Sequence, residues 1–201
     1  MIDAAVRAVQ AGEPVVLPFD TVYGLAADPE DEDAVERLYR LKGRDEGRPT
    51  ALVAASIDRL LERIPELQGP AGSKMQALLP GPVTLIVPNP ARRFSWLTGP
   101  NPDAIGVRVP VLGGPGGEVL RRVGIVAATS ANHPGEPDPR RLEDVPEDIR
   151  SGAGAALDGD ELPGTPSTVI DLTGTEPRVL REGALAAADA LGRLASGVRS
   201  T

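Results

Sequence analysis

At 201 residues, 41% hydrophobic and 25% charged, the chain has the composition of one large globular domain, not of a disordered or fibrous segment. Its formal net charge of −8 opposes a broad phosphate-binding surface, so any nucleotide or nucleic-acid contact must rest on a local basic patch. Cysteine is absent and His133 is the single histidine, which excludes disulfides, thiolate nucleophiles, cysteine metal sites and multi-histidine ligation.

The opening MIDAAVRAVQAGEP lacks the apolar core of a signal peptide, and no run reaches membrane-spanning length. The expectation is a cytoplasmic protein without membrane contact. Ile2, Ala5, Val6 and Val9 share one face of a helix over 2–11 that Gly12 would stop. Residues 15–18 read as a short buried strand ended by Pro18, followed by Asp20, Thr21, Val22, Tyr23 and Gly24. Polar side chains at a strand end, followed by a glycine, are how open sheets make a binding mouth. The alternative is a hairpin whose Tyr23 covers the core edge.

A helix over 31–42 opens with Asp31, Glu32 and Asp33, turns Val35, Leu38 and Tyr39 inward, and ends at Lys42-Gly43-Arg44. Strands are expected at 50–55, 83–88, 105–109, 125–129, 168–172 and 178–181. Helices are expected near 57–63, 72–79, 116–123 and 142–151, with an alanine-rich C-terminal helix at 184–196. Residues 89–104 read as a loop carrying Arg92, Arg93, Phe94 and Trp96. With no repeat and no clear linker, the pattern predicts a single α/β (α+β) domain over 1–201, a twisted mixed sheet flanked by helices.

Several residues could carry chemistry. Lys42 and Arg44, with Arg48 nearby, could grip a polyphosphate as point charge and bidentate fork, or could simply complement a helix C-terminus. No Walker loop or Rossmann fingerprint occurs. Ser130 and Asn132 follow a buried strand, where they could contact a ligand or merely build a turn. Arg108 lies in an apolar strand and needs a carboxylate partner, from the protein or from a ligand. Ser167 and Thr168 precede one strand and Arg181 ends another. His133, next to Pro134, reads as a loop residue, not a catalytic base.

Taken together, L-P-F-D-T-V-Y-G-L (17–25), K-G-R (42–44), P-G-P-V-T (80–84), V-R-V-P (107–110), S-A-N (130–132), S-T-V-I-D (167–171) and R-E-G (181–183) resemble the YrdC/Sua5 family of L-threonylcarbamoyladenylate synthases. The resemblance runs from about residue 6 to 185. It implies a YrdC-like sheet around a deep electropositive cleft, and a nucleotidyltransferase that makes threonylcarbamoyl-AMP and pyrophosphate from L-threonine, bicarbonate (or CO2) and ATP with Mg2+. The product would pass to a separate tRNA threonylcarbamoyl transferase complex, for the t6A modification at position 37 of tRNA. By the same resemblance Lys42 and Arg44 act on the phosphates as catalytic groups. Ser130, Asn132 and Arg181 join them on the nucleotide, and Thr21, Tyr23, Arg108, Ser167 and Thr168 frame threonine.

The chain departs from the family pattern at Phe19, usually threonine, and after K-G-R, where D-E-G-R-P-T puts Thr50 in a leucine position. Asp45 and Glu46 would weaken the local positive potential. Two other readings use the same fold. One is an RNA-binding or ribosome-assembly module with weak tRNA contact, favoured by the Arg92-Arg93-Phe94…Trp96 loop. The other is a nucleotide-binding paralogue with altered catalysis, raised by Phe19.

Overall fold

The computed structural model describes residues 1–43, 47–111 and 113–197. The strands are β1 (Val15–Pro18), β2 (Tyr23–Ala27), β3 (Ala51–Ala54), β4 (Val83–Pro88), β5 (Ala104–Arg108), β6 (Ile125–Ser130), β7 (Ala155–Ala156), β8 (Thr168–Asp171) and β9 (Arg178–Arg181). The helices are α1 (Ile2–Gln10), α2 (Glu32–Lys42), α3 (Ile57–Arg63), α4 (Pro70–Gln76), α5 (Gly114–Val123), α6 (Glu147–Gly152) and α7 (Ala187–Gly197). One nine-stranded mixed sheet runs β7-β1-β2-β6-β3-β5-β4-β8-β9. β1 and β2 form an antiparallel hairpin with Leu17 opposite Gly24, so residues 19–22 are its turn.

The two-residue alternation of strand side chains divides the core. Leu52, Leu85, Val87, Ile105, Val107 and Ile170 point to one face, where they pack with Val35 and Leu38 of α2, Leu60 of α3 and Leu194 of α7. Val15, Leu17, Ala26, Val53 and Val126 point to the other face, toward Ala5, Ala8 and Val9 of α1 and Val119 and Leu120 of α5. These two helices lie over the β7, β1 and β6 part of the sheet. On the same face, farther across, stand Ala51, Thr84, Ile86, Gly106, Arg108 and Val169, none of which belongs to either apolar cluster's buried set. That uncovered half is where the site lies.

α2 is specified at both ends. The Asp31 side chain accepts a hydrogen bond from the Ala34 amide at 3.2 Å, and Glu32 and Asp33 add negative charge to the first turn. Gly43 ends the helix in the left-handed region at φ 63°, which glycine adopts without steric cost. The helix therefore delivers Lys42 as its last residue.

Three expected elements are placed differently. The helix expected at 72–79 is α4, which starts at Pro70. The helix expected over 142–151 is split into a 3-10 turn, Leu142–Asp144, and α6, because Pro146 has no N–H to continue the first segment and instead opens the second. The C-terminal helix starts at Ala187 instead of 184. Thr168 Oγ1 accepts from the Gly183 and Leu185 amides and donates to Leu185 O, which holds that stretch out of the helix. β7, only two residues long, is too short to leave a pattern. Replacing the cap, Asp31→Ala, should lower stability by about 1 kcal/mol, read as a fall in the urea midpoint with an unchanged slope; an unchanged midpoint would remove the cap's role.

Candidate active site

Beyond α1 and α5 the open sheet face forms the floor of a cavity of about 540 Å3. Its floor crosses the sheet from Gly24 and Ala128 through Ala51, Val53 and Gly106 to Ile86 and Val169. Among the described residues the lining holds Lys42, Arg48, Arg108 and Arg181 against one carboxylate, Asp138. The site is thus locally positive on a chain whose net charge is −8.

Arg108 ends β5 and is only 9% exposed. Its Nη2 donates to Asp20 Oδ1 and, at 2.9 Å, to Thr21 Oγ1. Asp20 Oδ2 in turn accepts from the Val111 amide at 2.9 Å. The carboxylate partner expected for an arginine in an apolar strand is therefore Asp20. Burial drives the Arg108 pKa below its usual value; Asp20 opposes that shift and the nearby charge of Arg181 adds to it. Arg108 Nε is buried and has no hydrogen-bond partner among the described residues.

Arg181 reaches the cavity from β9. Its Nε and Nη2 donate to Ser167 O at 3.1 and 2.7 Å, and Nη2 also lies 3.3 Å from Ser167 Oγ. Ser167 Oγ is 2.9 Å from Thr84 Oγ1, which ties β8 to β4 at the cavity wall.

Lys42, Ser130 and Asn132 form one unit. The Lys42 ammonium donates to Ser130 O at 2.6 Å, Asn132 O at 2.6 Å and Asn132 Oδ1 at 3.0 Å. Ser130 Oγ also donates to Asn132 Oδ1, at 2.6 Å. Asn132 Nδ2 then reaches Glu136 O at 2.7 Å and Pro137 O at 3.2 Å. The motifs 42–44 and 130–132, far apart in sequence, meet here because the C-terminal end of β6 lies beside the end of α2. Arg44, the other cation of the expected phosphate grip, lies outside the described residues, as do Asp45 and Glu46.

Of the remaining residues expected in the site, Thr21 and Ser167 line the cavity, whereas Tyr23 and Thr168 do not. The Tyr23 hydroxyl donates toward Asp158 Oδ1 and Asp160 O, each at 3.0 Å, and accepts from the Gly159 amide at 2.9 Å. In this hairpin the side chain turns to the covered face, which is the alternative raised for it. Thr168 is spent on the 183–185 turn described above. Three lining residues had weaker signals in the sequence. His133 looked like a plain loop residue, Thr50 was visible only as a departure, and Gly106 carried no signal apart from being a glycine inside a strand.

The loop that favoured RNA binding is internally satisfied. Arg93 pairs with Glu66 through two nitrogens and Arg92 with Asp103. Trp96 Nε1 donates to Pro29 O at 3.0 Å, and its ring meets Phe94 edge to face at 6.3 Å. Both rings pack against the core and not outward as a stacking platform. Among the described residues no group of three or more His, Cys, Asp or Glu is gathered to hold a metal ion, and no helix is long and apolar enough to cross a membrane.

The Sua5/YciO/YrdC family model, described as "Telomere recombination", matches residues 7–183. A putative threonylcarbamoyl-AMP synthase of Mycobacterium tuberculosis is 36% identical over 183 residues, covering 90% of this chain and 83% of that protein. The threonylcarbamoyl-AMP synthase of Pyrococcus abyssi is 35% identical over 183 residues, 88% of this chain but 52% of its own length. The crystal structure of P. abyssi Sua5 complexed with L-threonine superposes with a TM-score of 0.82 at 32% identity, over 96% of this chain and 56% of that one. The chain spans little more than half the length of the Pyrococcus protein.

His133 closes the Lys42 unit. Its Nδ1 lies 3.1 Å from Lys42 O, which can only accept, and its Nε2 lies 3.1 Å from Asp148 Oδ1. Both contacts are satisfied only by the imidazolium, and the backbone acceptor, then Asp148, then the Glu136 charge raise the His133 pKa. A raised folded-state value contributes stability that is fully present below the unfolded pKa of about 6.5 and fades as pH climbs through the folded value. Between about pH 6 and pH 8.5 the wild type should therefore lose more stability than His133→Gln. Parallel denaturation midpoints for the two proteins across that range would remove this linkage.

Proposed function

We infer the activity from family and site together: the chain belongs to the Sua5/YciO/YrdC family, and we propose that it is a threonylcarbamoyl-AMP synthase. It would condense L-threonine, bicarbonate or CO2, and ATP to threonylcarbamoyl-AMP and pyrophosphate, which makes it a nucleotidyltransferase. The observation that carries the reading is the pair Arg108 and Arg181, two guanidinium groups on the wall of one cavity, with Arg108 buried and its Nε without a partner among the described residues. Such a pair is stabilised by an anion between its members. The threonine carboxylate and the α-phosphate are the two anions this reaction supplies.

The chemistry asks little covalent work of the protein. The threonine amine adds to CO2 to give a carbamate, one carbamate oxygen attacks the α-phosphorus, and pyrophosphate leaves. Positioning and charge neutralisation then dominate the rate. Arg108, held by Asp20 and Thr21, orients the amino acid. Arg181, seated on Ser167, closes over the AMP portion. Lys42 has its ammonium hydrogens on the Ser130–Asn132 turn, so it acts chiefly by fixing that turn and by its charge. Arg48 extends the positive side toward the leaving group. Mg2+ would enter on ATP as part of the substrate, and with Asp138 the one lining carboxylate among the described residues, phosphate oxygens would supply most of its ligands. The reaction belongs in the cytoplasm, and its labile product passes to a tRNA threonylcarbamoyl transferase complex for t6A at position 37. No step requires RNA bound to this chain.

Pyrophosphate release should require threonine and bicarbonate together, with a threonylcarbamoyl-AMP mass in the product. Release with ATP alone, or with any amino acid equally, would overturn the reading. Arg181→Ala should lower kcat/KM about 10- to 100-fold, as expected for a lost charge-assisted contact of ~1.5–3 kcal/mol. Unchanged turnover in Lys42→Ala combined with Arg44→Ala would remove the phosphate-side assignment.

A further inference from the structure

Glycine is costly inside a strand unless something approaches its backbone closely. Gly24, on the cavity floor, is explained by the protein itself. A Cβ there would come within 2.5 Å of Phe19 Cε2 and 3.2 Å of Thr129 O. Gly106, in the middle of β5, is not. Its φ is not in the left-handed region, and a Cβ built on it would meet Ile86 Cδ1 at 3.5 Å, Ala51 Cα at 3.7 Å and Thr84 Cγ2 at 3.8 Å, all ordinary van der Waals contacts. The protein leaves room for a methyl group that is not there.

That room opens into the cavity. Gly106 and the three residues nearest its missing Cβ all line it, and Arg108, two residues along the same strand face, contributes the buried Nε that no described residue satisfies. The three nearest atoms are carbon, so the floor at Gly106 is bare strand backbone with an apolar surround, in a cavity that Lys42, Arg108 and Arg181 also line. We propose that Gly106 is a positioning residue for the nucleotide: the purine ring of ATP lies directly on the β5 backbone there. The inference rests on the synthase reading. Among that reaction's substrates only the purine offers a broad, flat, uncharged face that can lie on bare backbone. A ring in van der Waals contact with the backbone, about 3.5 Å away, excludes a Cβ that the fold itself would tolerate.

The two explanations of Gly106 predict opposite signs. Gly106→Ala should leave the thermal midpoint unchanged or raised, because alanine restricts the unfolded chain and meets no clash. Calorimetric titration should show ATP, with Mg2+, binding at least tenfold more weakly, while L-threonine titrated alone keeps its affinity within about twofold. Ala51→Val, which raises the same floor from the neighbouring strand, should weaken ATP in the same way. The proposal fails if Gly106→Ala binds ATP within about twofold of wild type, if ATP and threonine weaken equally, or if the variant unfolds. A wild type that binds threonine but no ATP would remove the synthase reading, and this inference with it, whereas normal ATP binding by Gly106→Ala would remove this inference alone.

Discussion

A buried ammonium must be surrounded by acceptors, and Lys42 satisfies that demand with three oxygens from the end of one strand. Everything near the positive side of the cavity follows from it. The ammonium draws the Ser130–Asn132 turn onto the C-terminus of α2, where the helix dipole also favours a cation. Asn132, fixed by the lysine and by Ser130, uses its amide hydrogens to hold residues 136 and 137. His133 returns the contact by bonding Lys42 O. The result is a closed ring of hydrogen bonds joining a helix end, a strand end and a loop. Removing any member leaves buried polar groups unpaired, at ~1–3 kcal/mol each.

The second constraint is the half-covered sheet. Two helices are enough to bury the face over β1 and β6, and beyond them that side carries Thr84, Gly106 and Arg108 beside Ile86 and Val169, while the opposite side is mostly apolar and packed in the core. The alternation along β5 shows this most plainly, with Ile105 and Val107 in the core and Gly106 and Arg108 in the cavity. A cavity made this way has a rigid floor, because its base is hydrogen-bonded backbone. Charges placed around a rigid floor need no reorganisation when an anion binds, which is the condition under which electrostatic stabilisation is most effective.

What could be read from the sequence was type and order, and much less direction. β1 and β4 fall where their apolar runs place them, β9 falls at the expected 178–181, and α2 begins and ends on its Asp31 and Gly43 signals. The Arg108 partner was legible as a requirement, since an arginine in an apolar strand has no other solution, but Asp20 as the answer depends on how the β1–β2 turn meets β5. Lys42 was legible as a cation at a helix end. That its hydrogens go to the Ser130–Asn132 turn was not, because the pairing depends on β6 returning antiparallel to β2. Tyr23 and Thr168, expected to frame threonine, do not line the cavity although their neighbours do, because one step along a strand reverses the face. The 92–96 loop misled for a related reason, since its satisfying groups, Glu66, Asp103 and Pro29, are remote in sequence or unremarkable in type.

The positions where this chain leaves its family's pattern are themselves informative. Phe19 and Thr50 both fall on the cavity lining, Phe19 at the edge of the apolar cluster beneath α1 and α5. Phe19 lays its ring on Gly24, so two positions are coupled: with the ring present, no larger residue fits at 24. Thr50 is 2% exposed and its hydroxyl has no partner among the described residues, where a leucine would have had no polar atom to satisfy. An orphaned buried hydroxyl costs ~1–3 kcal/mol, and no contact among the described residues offsets it. Both residues stand on the cavity wall, outside the strands that pair beneath it. They therefore bear on how the substrate fits and not on whether the chain folds, and the unsatisfied Thr50 hydroxyl and Arg108 Nε, on one cavity, are the groups with which a substrate would complete the structure.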